Sequence, residues 1–274
     1  RSITIPDSVT RIGGSAFFCC SSLRVINIPK SVKIVESHAL AACSGMESIR
    51  VDPKNEVYES KGNCLIKKKS KTLIAGCANS VIPADGSVTS IGEEAFFLCS
   101  SLRSITIPDT VTSIGIGAFS GCSSLSEINI SDSVVSIRPG AFFQCSSLSE
   151  ITIPSYVKSI AGGLLESCSS LKKVNIPNSV ESIGRDAFKG CSSLDNVIIP
   201  NSVTRIGDQA FSYCISLSEI TLSNSVTEID SYTFAHCSNL RSIEIPDSVS
   251  CIKWYAFFNC SNLSEITIPG SVAN

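Results

Sequence analysis

Fourteen cysteines, two histidines and an abundance of serine are the residues of this chain with chemistry to offer, and their spacing decides whether they use it. Zinc sites place thiolates in close pairs such as C-x-x-C, and a short secreted chain pairs its cysteines into disulfides. No C-x-x-C pair occurs. Ten of the cysteines, including Cys122, Cys145, Cys168 and Cys191, recur at a step of 23 residues broken once between Cys43 and Cys99. A residue that returns at one structural position is a packing residue, and free Cys behaves as a small hydrophobe. Parallel side chains rarely reach the disulfide dihedral, so mostly reduced thiols are expected. Only Cys19, Cys64, Cys77 and Cys251 stand outside the series. His38 and His236 sit beside Ala39 and Cys237 at positions that vary between repeats, and read as surface spacers. Gly115-Ile116-Gly117 with Gly121 has the wrong spacing for G-x-G-x-x-G, and no serine sits in a nucleophile elbow. No catalytic residue, metal ligand or cofactor is expected, and the chain reads as a non-enzyme.

The elements that hold these residues follow from the same period. Pro recurs at 6, 29, 83, 108, 154, 177, 200, 246 and 269, with Ser131 and Ser223 filling the two vacant places of the 23-residue series. Phe119, Phe142 and Phe188 belong to a third column in which Leu40 and Leu165 replace Phe. The unit is L-x-x-I-x-I-P-x-S-V-x-x-I-G-x-x-A-F-x-x-C-S-S. In Leu102-Arg103-Ser104-Ile105-Thr106-Ile107, inward Ile105 and Ile107 flank outward Thr106, the period-2 pattern of a half-buried strand. Pro108 ends the strand and Asp109-Thr110 turns the chain; Val111 and Ile114 face inward, Gly115 suits a second bend, and Ala118-Phe119 to Cys122 reads as a short helical turn. A single unit has about six inward side chains worth roughly 1.5–3 kcal/mol each, against an ordering cost of about 1.5 kcal/mol per residue. It therefore folds only when stacked on neighbours, with the Leu, Ile, Phe and Cys columns continuous.

The expected fold is a repeat solenoid over 1–274: a right-handed leucine-rich-repeat superhelix of about 12 coils, built from short β-strands and short helical turns around one core. Between residues 52 and 90 the period fails, since Pro29 and Pro83 lie 54 residues apart, eight more than two steps. Runs at 57–60, 64–67 and 72–75 predict a β-hairpin spliced into the solenoid, with Lys67, Lys68, Lys69 and Lys71 at its solvated tip. The array starts inside a strand and stops just past one without a polar cap, which predicts a segment of a longer array.

If the interior is structural, function falls to the outward positions. Thr4, Asn27, Arg50, Thr106, Asn129, Thr152, Asn175, Ile198, Thr221, Glu244 and Thr267 should line one face of the sheet, polar and nearly uncharged, as the first candidate binding surface. β-propensity alone would also favour such a face. Tyr232, Trp254 and Tyr255 form the second candidate, because Tyr232 and Tyr255 are 23 apart and should stack. The sequons at Asn129, Asn259 and Asn262 are expected by chance in so serine-rich a chain. A net charge of −2 lacks the basic footprint of a nucleic-acid binder. No run of about 18 apolar residues is present and the opening residues carry no apolar h-region, so neither a membrane span nor a signal peptide is expected within this sequence.

Repeats such as Ile107-Pro108-Asp109-Thr110-Val111-Thr112-Ser113-Ile114-Gly115 followed by Ala118-Phe119-Ser120-Gly121-Cys122-Ser123-Ser124-Leu125 resemble the BspA-type leucine-rich repeats. The irregular stretch is similar to a variant repeat of that family through Asn55, Tyr58, Ser60, Gly62 and Leu65, spaced here as N-x-x-Y-x-S-x-G-x-x-L. The resemblance covers nearly the whole chain. It implies a surface or secreted protein of an anaerobic or mucosal microbe, adhesin-like, binding host matrix or cell-surface proteins. Reduced thiols would equally suit an intracellular protein–protein scaffold in the cytoplasm. A repeat array tethered to an enzymatic domain elsewhere is the third reading.

Overall fold

The computed structural model describes residues 2–273, which wind into a solenoid of about 12 turns. Successive coils pair in parallel at the 23-residue step: Thr106 lies opposite Asn129, Thr152 opposite Asn175, Glu244 opposite Thr267. Each coil has a longer strand such as Ser104–Ile107 and a two-residue strand such as Ser113–Ile114. The corner between them is a β-turn in which Val111 N–H donates to Pro108 C=O at 3.0 Å. Ser131 and Ser223 accept the same bond from Val134 and Val226, so the corner needs the carbonyl and not the proline ring. The serine two places on ties coils together: Ser133, Ser179 and Ser248 donate to the Val C=O of the preceding coil at 2.9, 2.7 and 2.7 Å. The P-x-S-V stretch of the repeat is thus a turn with an inter-coil staple.

The third side of the coil departs from expectation. In place of a helical turn it runs as consecutive β-turns. Gly117, Phe119 and Gly121 donate to Pro139, Ala141 and Phe143 of the next coil at 3.1, 2.8 and 2.7 Å, while Ala118, Ser120 and Cys122 donate three residues back within their own coil. Coil-to-coil bonding sets the reason. Neighbouring coils advance by about 4.8 Å, the spacing of hydrogen-bonded strands, and a helix about 10 Å across cannot stack at that pitch. Alternate N–H groups must reach the neighbour, and the chain achieves this with two left-handed residues per coil, here Gly117 (φ 56°) and Gly121 (φ 73°). Gly115 has a different role from the bend assigned to it: a Cβ there would lie 2.6 Å from backbone atoms of Gly92 and Glu93 in the preceding coil. It is a close-approach residue.

Inside, Phe96, Phe119 and Phe142 stack at 4.9 and 5.6 Å, and Phe188, Phe211, Phe234 and Phe257 continue the column beyond Leu165. The cysteines do more than fill space. Each thiol of Cys122, Cys145, Cys168, Cys214 and Cys237 donates to the carbonyl of the Phe one coil back, at 3.1–3.2 Å. Cys191 does the same to Leu165 C=O at 3.2 Å, so the bond survives where the ring is lost. Burial pushes these thiols up, to about 12 at Cys168 and Cys214, and keeps the donor proton in place.

The irregular stretch forms a three-stranded antiparallel meander and not a single hairpin: Tyr58–Lys61, Cys64–Lys67 and Thr72–Ala75, the last pairing in parallel with Ser90–Ile91 to rejoin the solenoid. Asn55 organises its entry. Its buried amide donates to Pro29 and Val32 C=O at 2.8 and 3.0 Å and accepts from Val57 and Tyr58 N–H at 2.9 and 2.8 Å. Tyr58 hydroxyl accepts from Val35 N–H at 3.0 Å, occupying the edge where the next coil's short strand would have paired. Ser60 Oγ accepts from Val51 N–H at 3.1 Å. The expectation of one continuous core is also corrected: Cys64, Ile66 and Leu73 face the main cluster, whereas Leu65, Tyr58 and Cys77 close a second one around Ile26, Leu40 and Met46. The strand Cys64–Lys67 is the wall between them, because alternate side chains of a strand point to opposite faces.

Candidate functional site

The long strands carry the first site. Thr106, Asn129, Thr152, Asn175, Ile198, Thr221, Glu244 and Thr267 all stand exposed in one in-register column, with Thr4 and Arg50 at its other end; Asn27 is half-buried. A second outward column runs beside it, two residues earlier on each strand: Ser104, Glu127, Glu150, Lys173, Asn196, Glu219, Ser242 and Glu265, all exposed. Sequence reasoning took one outward position per strand and missed this one, although the period of 2 places both on the same face. The face is consequently not uncharged. In the last four coils it forms a trough of about 840 Å³ lined by Glu219, Glu244 and Glu265, with exposed Ile198 at the end nearest the preceding coils and no Lys or Arg in its lining. Three carboxylates on successive coils, beside an exposed isoleucine, favour a ligand that brings hydrogen-bond donors or positive charge to them.

The aromatic candidate lies on the β-turn side, away from that trough. Tyr232 and Tyr255 stack at 5.0 Å, as their spacing predicts. Trp254 stands beside them 81% exposed, and among the described residues no ring–ring contact includes it. Three rings that sequence reasoning did not group complete the patch. Tyr213 and His236 stack at 4.2 Å, and Phe258 meets both His236 and Tyr255 edge-on at 5.2 and 5.6 Å. The signal was available, since Tyr213 and His236 are one repeat apart. His236 is thus a ring of the patch and not a spacer.

His38 is likewise engaged. It pairs through Nε2 with Glu94 Oε2 at 2.5 Å and meets Phe97 edge-on at 5.2 Å, beside a cavity of about 250 Å³ at the seam where the turn ladder steps over the meander. Of the lysine run, Lys67, Lys69 and Lys71 are exposed while Lys68 Nζ is tied to Asn55 C=O. Among the described residues no group of three or more His, Cys, Asp or Glu side chains is arranged to hold a metal ion, and no helix is long and apolar enough to cross a membrane.

The stacked coils, interior thiols and solvent-facing strand columns define a leucine-rich-repeat solenoid, and known proteins place it further. The family described as BspA type leucine rich repeat region matches residues 1–75, 67–194 and 164–274, and the chain belongs to that family. Among solved structures it is similar to a leucine-rich repeat protein from Eubacterium ventriosum, 28% identical with a TM-score of 0.74 over 98% of this chain and 66% of that one. A leucine-rich repeat protein from Bacteroides ovatus is 28% identical with a TM-score of 0.58 over 97% of this chain and 78% of that one. The pneumococcal vaccine antigen PcpA, 18% identical with a TM-score of 0.50 over 96% of this chain and 78% of that one, shares the fold. The chain spans 66% of the length of the Eubacterium protein. No curated protein matches it.

Proposed function

We propose that this array is a non-enzymatic, adhesin-like module of a surface or secreted protein, and that it captures a protein partner in the strand-face trough around Ile198, Glu219, Glu244 and Glu265. The observation that carries this reading is the trough itself: three exposed carboxylates with no Lys or Arg in the lining and an exposed isoleucine at one end, on the strand face of the solenoid. Such a site suits a basic segment of a matrix or cell-surface protein, with attraction that falls as salt rises. The alternative of an intracellular scaffold drew its support from reduced thiols. Buried thiols held protonated are inert to oxidants in any compartment, so that support is weak.

The test is capture of host matrix and cell-surface proteins by the native chain beside a triple variant, Glu219→Lys, Glu244→Lys and Glu265→Lys. All three side chains are exposed, so the variant should fold. The reading expects a partner bound by the native chain and lost by the variant. A partner held equally by both moves the site elsewhere.

A further inference from the structure

We infer that the aromatic patch on the β-turn side is a second, independent binding site, and that its ligand is a neutral, unbranched pyranose glycan lying along the solenoid. Tyr213, His236, Phe258, Tyr255 and Tyr232 form one connected set of rings, each touching the next at 4.2–5.6 Å, with exposed Trp254 at its margin. The rings contribute nothing to either core cluster. Tyr213, Tyr232, His236 and Tyr255 occupy the two left-handed backbone positions of the coil, φ 57–63°, which other coils fill with glycine or with residues such as Glu94, Leu98 and Gln144.

The surroundings select the ligand class. Tyr213 stacks on His236 of the following coil, and the equivalent position of the preceding coil is Gly190, which has no side chain. From Gly190 a groove of about 870 Å³ runs back over the coils through Ser169, Ser146, Ser123 and Gly121 to Cys19, and no charged side chain lines it. Seven coil positions at a strand spacing of about 4.8 Å make it roughly 30 Å long, the length of an extended oligomer. Its hydroxyls are oriented: Ser146 and Ser169 donate to Ser123 and Ser146 C=O at 3.4 and 3.5 Å, which leaves their lone pairs free to accept. A chain of pyranoses brings what this surface lacks. Its hydroxyls donate to the serine oxygens, and its polarised C–H faces lie on the electron-rich faces of the rings. A charged polymer would find no counter-charge here. A protein partner would call for large apolar side chains to bury, and Leu98 is the one such side chain in a lining otherwise of Ser, Gly, Ala, Cys and Gln.

The test is titration of the chain with cellohexaose, laminarihexaose, xylohexaose and chitohexaose by calorimetry, with Tyr213→Gly, Tyr255→Gly and Tyr213→Phe in parallel. Glycine suits the backbone at both positions, so the two glycine variants should melt no lower than the native chain. The inference expects at least one hexaose to bind, a loss of affinity of tenfold or more in Tyr213→Gly, and near-native affinity in Tyr213→Phe. Failure of all four hexaoses, or binding that survives Tyr213→Gly, overturns it, as does capture of a protein through these rings without glycan. The trough variant Glu219→Lys, Glu244→Lys and Glu265→Lys should bind the glycan normally, which keeps the two sites separable.

Discussion

At the scale of the residue, the cysteine column is a row of buried donors, and its protonation state is part of the fold. Burial raises the thiols from 9.0 to about 11 at Cys43 and about 12 at Cys64, Cys99, Cys168 and Cys214. Below pH 9 the thiols keep their protons whether the chain is folded or unfolded, so they add no pH dependence. Above it the unfolded chain sheds protons that the folded chain retains, and stability falls as pH rises from about 9 to about 12, by up to about 1.4 kcal/mol per pH unit for each buried thiol. Urea midpoints measured across that range should drop steeply; a flat profile would show that the thiols are not buried. Thiol-reagent kinetics offer an independent check. Exposed Cys19 should react first, with Cys20, Cys251 and Cys260 slower and the interior column only on unfolding. The column was legible in the sequence from its period, but the Sγ–H donation to a carbonyl one coil away was not, because no local pattern reports a bond between residues 26 apart. Asn55 is a similar case. Asn55→Ala strands two carbonyls and two N–H groups, and is expected to cost about 3 kcal/mol by chemical denaturation. A loss under about 1 kcal/mol would mean that water replaces the amide.

Elements tell a different story: a helical turn and a single hairpin were expected where the chain forms stacked β-turns and a three-stranded meander. Ala118-Phe119 to Cys122 looks helical because its apolar residues fall three apart, yet β-turns stacked at strand spacing use the same residues. The deciding quantity is coil pitch, a property of the stack and not of the segment. Gly115 shows the consequence. With a Cβ 2.6 Å from the backbone of the preceding coil, Gly115→Ala should destabilise by roughly 1–3 kcal/mol although its backbone conformation is ordinary. A neutral result would show that neighbouring coils can part there. Phe188, fully buried between Leu165 and Phe211 in the column, should lose about 3–5 kcal/mol on truncation to Ala. The long strands were legible, and the three runs of the meander to within a residue, because period-2 alternation is local information; two-residue strands such as Ser113–Ile114 were not, because two residues carry no alternation.

For the whole molecule, the repeat period revealed the solenoid and its outward face, while the surfaces that distinguish one coil from another had to be seen in three dimensions. Glu219 and Glu265 come from one outward column and Glu244 from the other, on three successive coils, and only stacking brings them into one trough with Ile198 of the coil before. Tyr213 and His236 share one position of the repeat and Phe258 occupies another, and the two meet at one patch. Function in such an array lies where coils differ, and stability where they agree. The central claim is that the strand trough is the contact surface for a protein partner. Hydrogen exchange of the chain, free and saturated with a captured partner, reads it directly. Protection concentrated in Asn196–Ile198, Glu219–Thr221, Ser242–Glu244 and Glu265–Thr267 is the predicted result; protection confined to the two-residue strands Arg205–Ile206 and Glu228–Ile229 or to the turn side would contradict it.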